Sequence, residues 1–166
     1  PPVFTFPYPA DILGANLREW RKEGVVLGAF YSGLLGSGVQ VAIIQRLYRE
    51  HPTSLRLVDP VMGDGGMMYP TYTKELCTAM GALADGADVL MPNLTESGIP
   101  TGIEYAGQDI DDTRITEILD ALLSLGAKNV VLKGIDHQDS KIRNYVVSSQ
   151  TGTDGMQELV HDKLPY

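Results

Sequence analysis

The chain has 166 residues, 43% of them hydrophobic, which suits one packed domain or most of one and excludes a disordered, collagen-like or repeat architecture. Thirteen Lys and Arg against 21 Asp and Glu leave a formal net charge of -8, so nucleic acid and anionic membrane would meet a repulsive field. The single Cys77 forms no internal disulfide, and no stretch reaches the roughly 18 consecutive apolar residues of a membrane span, so a soluble, cytoplasmic protein is expected. The chain opens on Pro1-Pro2-Val3 without Met or a leader-like segment, which suggests that an N-terminal part precedes it.

Asp11 to Lys22 carries Leu13, Leu17 and Trp20 at i, i+4 and i+7, which predicts an amphipathic helix with Asp11 as N-cap and Gly24 as its stop. Val25 to Tyr31 is a short apolar run without alternation, the pattern of a strand covered on both faces. A helix follows from about Gly38, with Val39, Ala42, Ile43 and Leu47 on one face. The unit returns with a strand at Leu55 to Asp59, a helix near Thr73 to Ala84 aligned on Leu76, Met80 and Leu83, and a strand at Ala87 to Met91. Ile115, Ile118, Leu119, Leu122 and Leu123 form the clearest helical stripe, and Lys128 to Lys133 is the next strand. Strand starts at 25, 55, 87 and 128 lie 30, 32 and 41 residues apart, the length of a βαβ unit, so the fold class is an α/β sandwich on a mostly parallel sheet. Ile142 to Ser148 and Met156 to His161 alternate about a turn at Gln150 to Gly155, which predicts an antiparallel hairpin near the C-terminus. No linker divides the chain, so residues 1–166 read as one domain.

Ligands of open α/β sheets bind beyond the carboxyl ends of the strands, which directs attention to four loops. They are Tyr31 to Ser37 (YSGLLGS), Asp59 to Gly66 (DPVMGDGG), Met91 to Glu96 (MPNLTE) and Lys133 to Asp136 (KGID). Asp59 and Asp64 in one Gly-rich loop could hold a hydrated Mg²⁺, or could simply end a strand and turn. Asn93 and Glu96 have the spacing of a capping box, which would start a helix at Leu94, and a helix N-terminus here also suits phosphate. Lys133-Gly134 could place an ammonium on a phosphate or be a strand-end Lys reaching solvent. Gly152 to Gly155 is read as a hairpin turn, Cys77 as a core residue, and the three His have no ligand spacing.

Asp59-Pro60-Val61-Met62-Gly63-Asp64 with Gly66 and Tyr69, Pro92-Asn93-Leu94-Thr95-Glu96, and Ser32-Gly33 with Leu35-Gly36-Ser37 resemble the pyridoxal kinase group of the ribokinase-like superfamily. The likeness runs in order through nearly the whole chain, to His161 to Pro165. It implies a three-layer, Rossmann-like ribokinase-type sandwich and an ATP-dependent kinase acting on the 5′-hydroxymethyl group of pyridoxal, pyridoxamine or pyridoxine. By resemblance, Asp59 and Asp64 would serve Mg²⁺ and phosphate, Glu96 would act on the metal through water, and Asn93 would lie beside the ATP phosphates, the end to which the strand-end position of Lys133 and Gly134 also assigns them. Ser32, Gly33 and Leu34 would border the vitamin pocket. The resemblance also implies a homodimer, for which Val3 to Tyr8 could supply contacts, and leaves a monovalent cation open.

Two places in the chain depart from the group. Leu34 stands where many members place an aromatic residue against the ring, and Lys133-Gly134 stands where a hydroxyl pair is common. A Lys-Gly step is more like the hydroxymethylpyrimidine kinases of thiamine synthesis, which share the fold. The Gly-x-Gly-Asp segment that carries the general base in the family would fall after Tyr166, so the 166 residues read as a central portion without its base. The rival expectations are a hydroxymethylpyrimidine kinase and a non-catalytic ligand-binding remnant of the fold.

Overall fold

The computed structural model describes residues 9–105, 107 and 110–164. The Val3 to Tyr8 stretch lies outside the described residues. Six strands form one sheet in the order β1 (Ala29–Ser32), β2 (Leu55–Val58), β5 (Val89–Leu90), β6 (Asn129–Ile135), β7 (Lys141–Ser148) and β8 (Gly152–Asp162). The first four are parallel, and β6 to β8 run antiparallel. A separate two-stranded hairpin joins β3 (Gly63–Asp64) to β4 (Met67–Met68).

The helices are α1 (Ala10–Lys22), α2 (Gly38–Glu50), α3 (Lys74–Gly81), α4 (Leu94–Thr101) and α5 (Asp112–Leu123). Each packs on the next, so they form a row in chain order. Four begin on a side-chain cap in the expected chemistry: the Ser37, Thr73, Asn93 and Asp111 oxygens accept from Gln40, Leu76, Glu96 and Arg114 N–H. The core lies where α3 and α5 meet the sheet, with Met80, Leu83, Ile115, Leu119, Leu122, Val58, Leu90, Val130 and Leu132 almost wholly buried.

Several local expectations change. Asp11 is not the cap of α1: the helix starts one residue earlier behind Pro9, with no side-chain cap bond, and Asp11 sits in the first turn, where its charge faces the helix dipole favourably. The run Val25 to Tyr31 is not a doubly covered strand. Only its end is in β1, which among the described residues pairs with β2 alone, and Val26 is 92% exposed, because the Val25 N–H turns back to the Trp20 carbonyl at 2.9 Å. Helix α2 buries Val41, Leu47 and Tyr48, whereas Val39 and Ala42 are exposed and Ile43 turns toward Gly14 of α1. This helix has two apolar stripes, and the sheet takes the one that carries Tyr48. The C-terminal turn occupies residues 149–151, so Gly152 to Gly155 already belongs to β8. The Gly-rich stretch after Asp59 is not a free loop but the β3–β4 hairpin.

Leu119 is fully buried in the packed centre of α5. Leu119→Ala is expected to cost about 2–5 kcal/mol in chemical denaturation of the complete protein, the range for a methylene-deleting cavity.

Candidate active site

Four strand ends come level because the hydrogen-bond ladder continues past them. Asp59 N–H donates to the Ser32 carbonyl at 2.8 Å, Met91 N–H to the Val58 carbonyl at 2.8 Å, and Lys133 N–H to the Pro92 carbonyl at 2.9 Å. At β6 the register slips: Leu132 opposes Tyr145 but Ile135 opposes Arg143, so Lys133 and Gly134 share Asn144 as their counterpart. This is a β-bulge, and it needs a residue that accepts positive φ. Gly134 supplies it at φ 75°, and its N–H is held by Asn144 Oδ1 at 2.9 Å.

The bulge brings the Lys133 ammonium between two carboxylates. Nζ donates to Asp59 Oδ1 and stands 3.7 Å from Glu96 Oε2. The other Asp59 oxygen accepts from the Tyr31 hydroxyl at 2.9 Å. Register explains that second contact: Tyr31 pairs with Leu57, and Asp59, two residues on, projects from the same face.

Glu96 is held from two more sides. Asn93 and Glu96 form a complete capping box, with Glu96 N–H on Asn93 Oδ1 at 2.8 Å and Asn93 N–H on Glu96 Oε2 at 2.9 Å. Glu96 Oε1 accepts from Met62 N–H at 3.3 Å, and Asn93 Nδ2 donates to the Gly63 carbonyl at 3.0 Å. The start of α4 therefore carries the β3–β4 hairpin. A further tie runs from Gly66 N–H to Thr95 Oγ1 at 2.8 Å. Gly65 and Gly66, at φ 57° and 80°, make the tight turn, which two side-chain-bearing residues would resist. Asp64 is left exposed beside this turn, its Oδ1 accepting from Gly65 N–H at 2.8 Å. Asp64, Asn93, Lys133, Gly134, Asp136 and Asn144 line a cleft of about 570 Å³.

All four strand-end loops thus meet at one sheet edge. Asp59, Glu96 and Lys133 come into contact, and Asn93 braces them. Asp64 and Gly134 line the same cleft. Ser32 is buried, with its hydroxyl 3.1 Å from that of Tyr48, while Gly33 is half-buried and Leu34 exposed on the loop that follows. Sequence reasoning missed Tyr31, Thr95 and Asn144. Tyr31 and Thr95 stand inside the strand-end loops but their roles do not show there: Tyr31 is placed by strand register, Thr95 by the hairpin it holds and Asn144 by the bulge it secures.

The phosphomethylpyrimidine kinase family profile matches residues 5–163. The chain belongs to this family. Among curated relatives it is 31% identical over 130 residues to the hydroxymethylpyrimidine/phosphomethylpyrimidine kinase of Haemophilus influenzae, covering 77% of this chain and 46% of that protein. To human pyridoxal kinase it is 25% identical over 144 residues, covering 81% and 43%. The chain therefore spans about half the length of these relatives. A crystal structure described as a phosphomethylpyrimidine kinase of Bacteroides thetaiotaomicron superposes with a TM-score of 0.87 at 30% identity, covering 99% of this chain and 56% of the other. A second crystal form of it, with pyridoxal, gives 0.86 and 30%, covering 99% and 58%. The family includes pyridoxal and phosphomethylpyrimidine kinases of the ribokinase-like superfamily, and the mostly parallel sheet with its antiparallel hairpin is that superfamily's α/β fold.

Magnesium, as phosphoryl transfer in this kinase family implies it, finds no ready inner-sphere place at the strand ends. Both Asp59 oxygens and both Glu96 oxygens already accept hydrogen bonds, and among the described residues no three His, Cys, Asp or Glu side chains converge. A polyphosphate fits better, because the cleft offers the Lys133 ammonium, the amide side chains of Asn93 and Asn144, and Gly134 with no side chain in the way.

Burial raises the Glu96 carboxyl above its ordinary 4.5, and neighbouring Asp59 adds to the rise, against the opposing pull of Asn93 N–H and Lys133. The Asp59 hydrogen bond likewise raises the Tyr31 phenol. The folded chain thus holds the Glu96 proton more tightly than the unfolded chain does. Its contribution to stability is most favourable below pH 4.5 and is lost as pH rises through the elevated value. Stability curves of wild type and Glu96→Gln should diverge across that window, with wild type losing ground as pH rises, and thermal melts from pH 4 to 8 would show it. Parallel curves would contradict the assignment.

Proposed function

We infer that the complete protein is a kinase that transfers the ATP γ-phosphoryl group to the 5′-hydroxymethyl group of pyridoxal, pyridoxamine or pyridoxine. The observation that carries the choice of ring is the close likeness, over 99% of this chain at 30% identity, to a protein crystallised with pyridoxal. Asn93, Lys133 and Gly134 are the phosphate end in this reading, and Asp64 is the exposed carboxylate able to approach a metal that arrives on the nucleotide. Ser32, Gly33 and Leu34 border the ring pocket. Ser32 forms the floor there rather than a polar contact, since its hydroxyl is engaged with Tyr48 and its carbonyl with the Asp59 N–H. Leu34 offers an apolar contact in place of an aromatic one. No described residue is assigned as the general base. The reading carries with it a cytoplasmic location and a homodimer.

Positioning and charge neutralisation supply most of phosphoryl-transfer catalysis. The rigid parts here serve positioning. The capping box fixes the start of α4, the hairpin rides on it, and the bulge aims Lys133 into the cleft. The phosphoryl group would pass along the sheet edge from this cleft toward the loop after β1.

A second reading, phosphorylation of hydroxymethylpyrimidine, is favoured by the Lys133-Gly134 bulge and by the 31% identity to the Haemophilus influenzae enzyme. Offering pyridoxal, pyridoxamine and hydroxymethylpyrimidine in parallel to the complete protein with magnesium and ATP separates the two. Preference for a B6 vitamer is expected. Preference for the pyrimidine would establish the second reading, and no turnover of any would leave a ligand-binding protein of this fold.

In the same assay Asp64→Asn should lower turnover about 10- to 1000-fold, as loss of one charged group at a transferring phosphate does. Its stability should shift by less than ~0.5 kcal/mol, because the side chain is exposed. Unchanged turnover would remove Asp64 from the phosphate end.

A further inference from the structure

We propose that Lys133 is a built-in counter-cation: it occupies the place between Asp59 and Glu96 that a divalent metal would otherwise take, and keeps that carboxylate pair metal-free until nucleotide draws the ammonium away. The inference rests on the reading of the adjoining cleft as the phosphate end.

Three observations carry it. First, the carboxylates come from different elements, the end of β2 and the first turn of α4, and Lys133 on the β6 bulge is the cation that both share. Second, Glu96 is 2% exposed, and among the described residues Lys133 is the cation paired with it, so without the ammonium two like charges would face each other. Such a pair either takes up a proton or takes up another cation. Third, Lys133 also lines the 570 Å³ cleft and retains about a third of its side-chain exposure, so its flexible stem can carry Nζ toward an anion bound there. The backbone N–H groups of Asn93 and Met62 would remain on Glu96 when the ammonium moves.

The consequence is an ordered exchange of charge. With the cleft empty, Asp59 and Glu96 are neutralised from within. When a polyphosphate enters, Lys133 would turn to it, leaving Asp59 and Glu96 without their internal cation. A metal without nucleotide should find the pair closed.

Mn²⁺ binding to the complete protein without nucleotide, followed by the free-ion paramagnetic resonance signal, tests this. Lys133→Met keeps the length of the side chain and removes the charge, and it should bind Mn²⁺ at least about tenfold more tightly than wild type. Adding Asp59→Asn to Lys133→Met should abolish that gain. Lys133→Gln, a polar alternative that is easier to accommodate beside water, should show the same gain if the Met variant fails to fold. Wild type binding Mn²⁺ as tightly as the folded variants overturns the proposal, as does a gain that survives Asp59→Asn. Since neither nucleotide nor turnover enters the measurement, its failure leaves the kinase reading intact. Absence of phosphorylation with the metal result as expected would remove the kinase reading alone.

Discussion

The contact on which this site depends is the Lys133 ammonium seated between Asp59 and Glu96. Two acidic groups at one sheet edge, one of them buried, would repel each other and resist ionisation together. The ammonium makes the arrangement tolerable, and in doing so it ties β2, α4 and β6 at the ends where ligands of open α/β sheets bind. Its own position depends on one irregularity. Without the bulge at Lys133-Gly134, strand alternation would turn the chain differently after Leu132.

Around that contact, rigidity is layered outward from α4. Its capping box uses Glu96 twice, as a helix cap and as half of the acidic pair, so the cap and the charge cluster cannot be altered independently. The β3–β4 hairpin hangs on Asn93 and Thr95 and presents Asp64 at the cleft. Substitutions at Asn93 should therefore disturb a helix start, a hairpin and a cleft wall at once, an expected source of non-additive effects.

Much of this was legible in the sequence because local chemistry and global fold agree. The stripe at Ile115, Ile118, Leu119 and Leu122 and the strand at Leu55 to Val58 became elements close to their expected bounds, and Asn93 with Glu96 formed the expected capping box. What was illegible depended on partners distant along the chain. Val25 to Tyr31 looks like a covered strand, yet cover is a property of neighbours, and among the described residues β1 pairs with β2 alone. In α2 two apolar stripes compete, and composition does not say which one meets the sheet. Tyr31 joined the site through strand register, and Lys133 met two carboxylates through a bulge that Gly134 permits but does not announce. Asp59 and Lys133, each read separately at its own strand end, meet in one ion pair that neither motif announces.

With the cleft empty, a lysine rather than a metal holds the two carboxylates together. A crystal structure of the complete protein without nucleotide, soaked in Mn²⁺ and probed by anomalous scattering, tests this. Lys133 Nζ is expected between Asp59 and Glu96, with no anomalous peak there. A manganese ion bridging the two carboxylates, with Lys133 turned away, would contradict it.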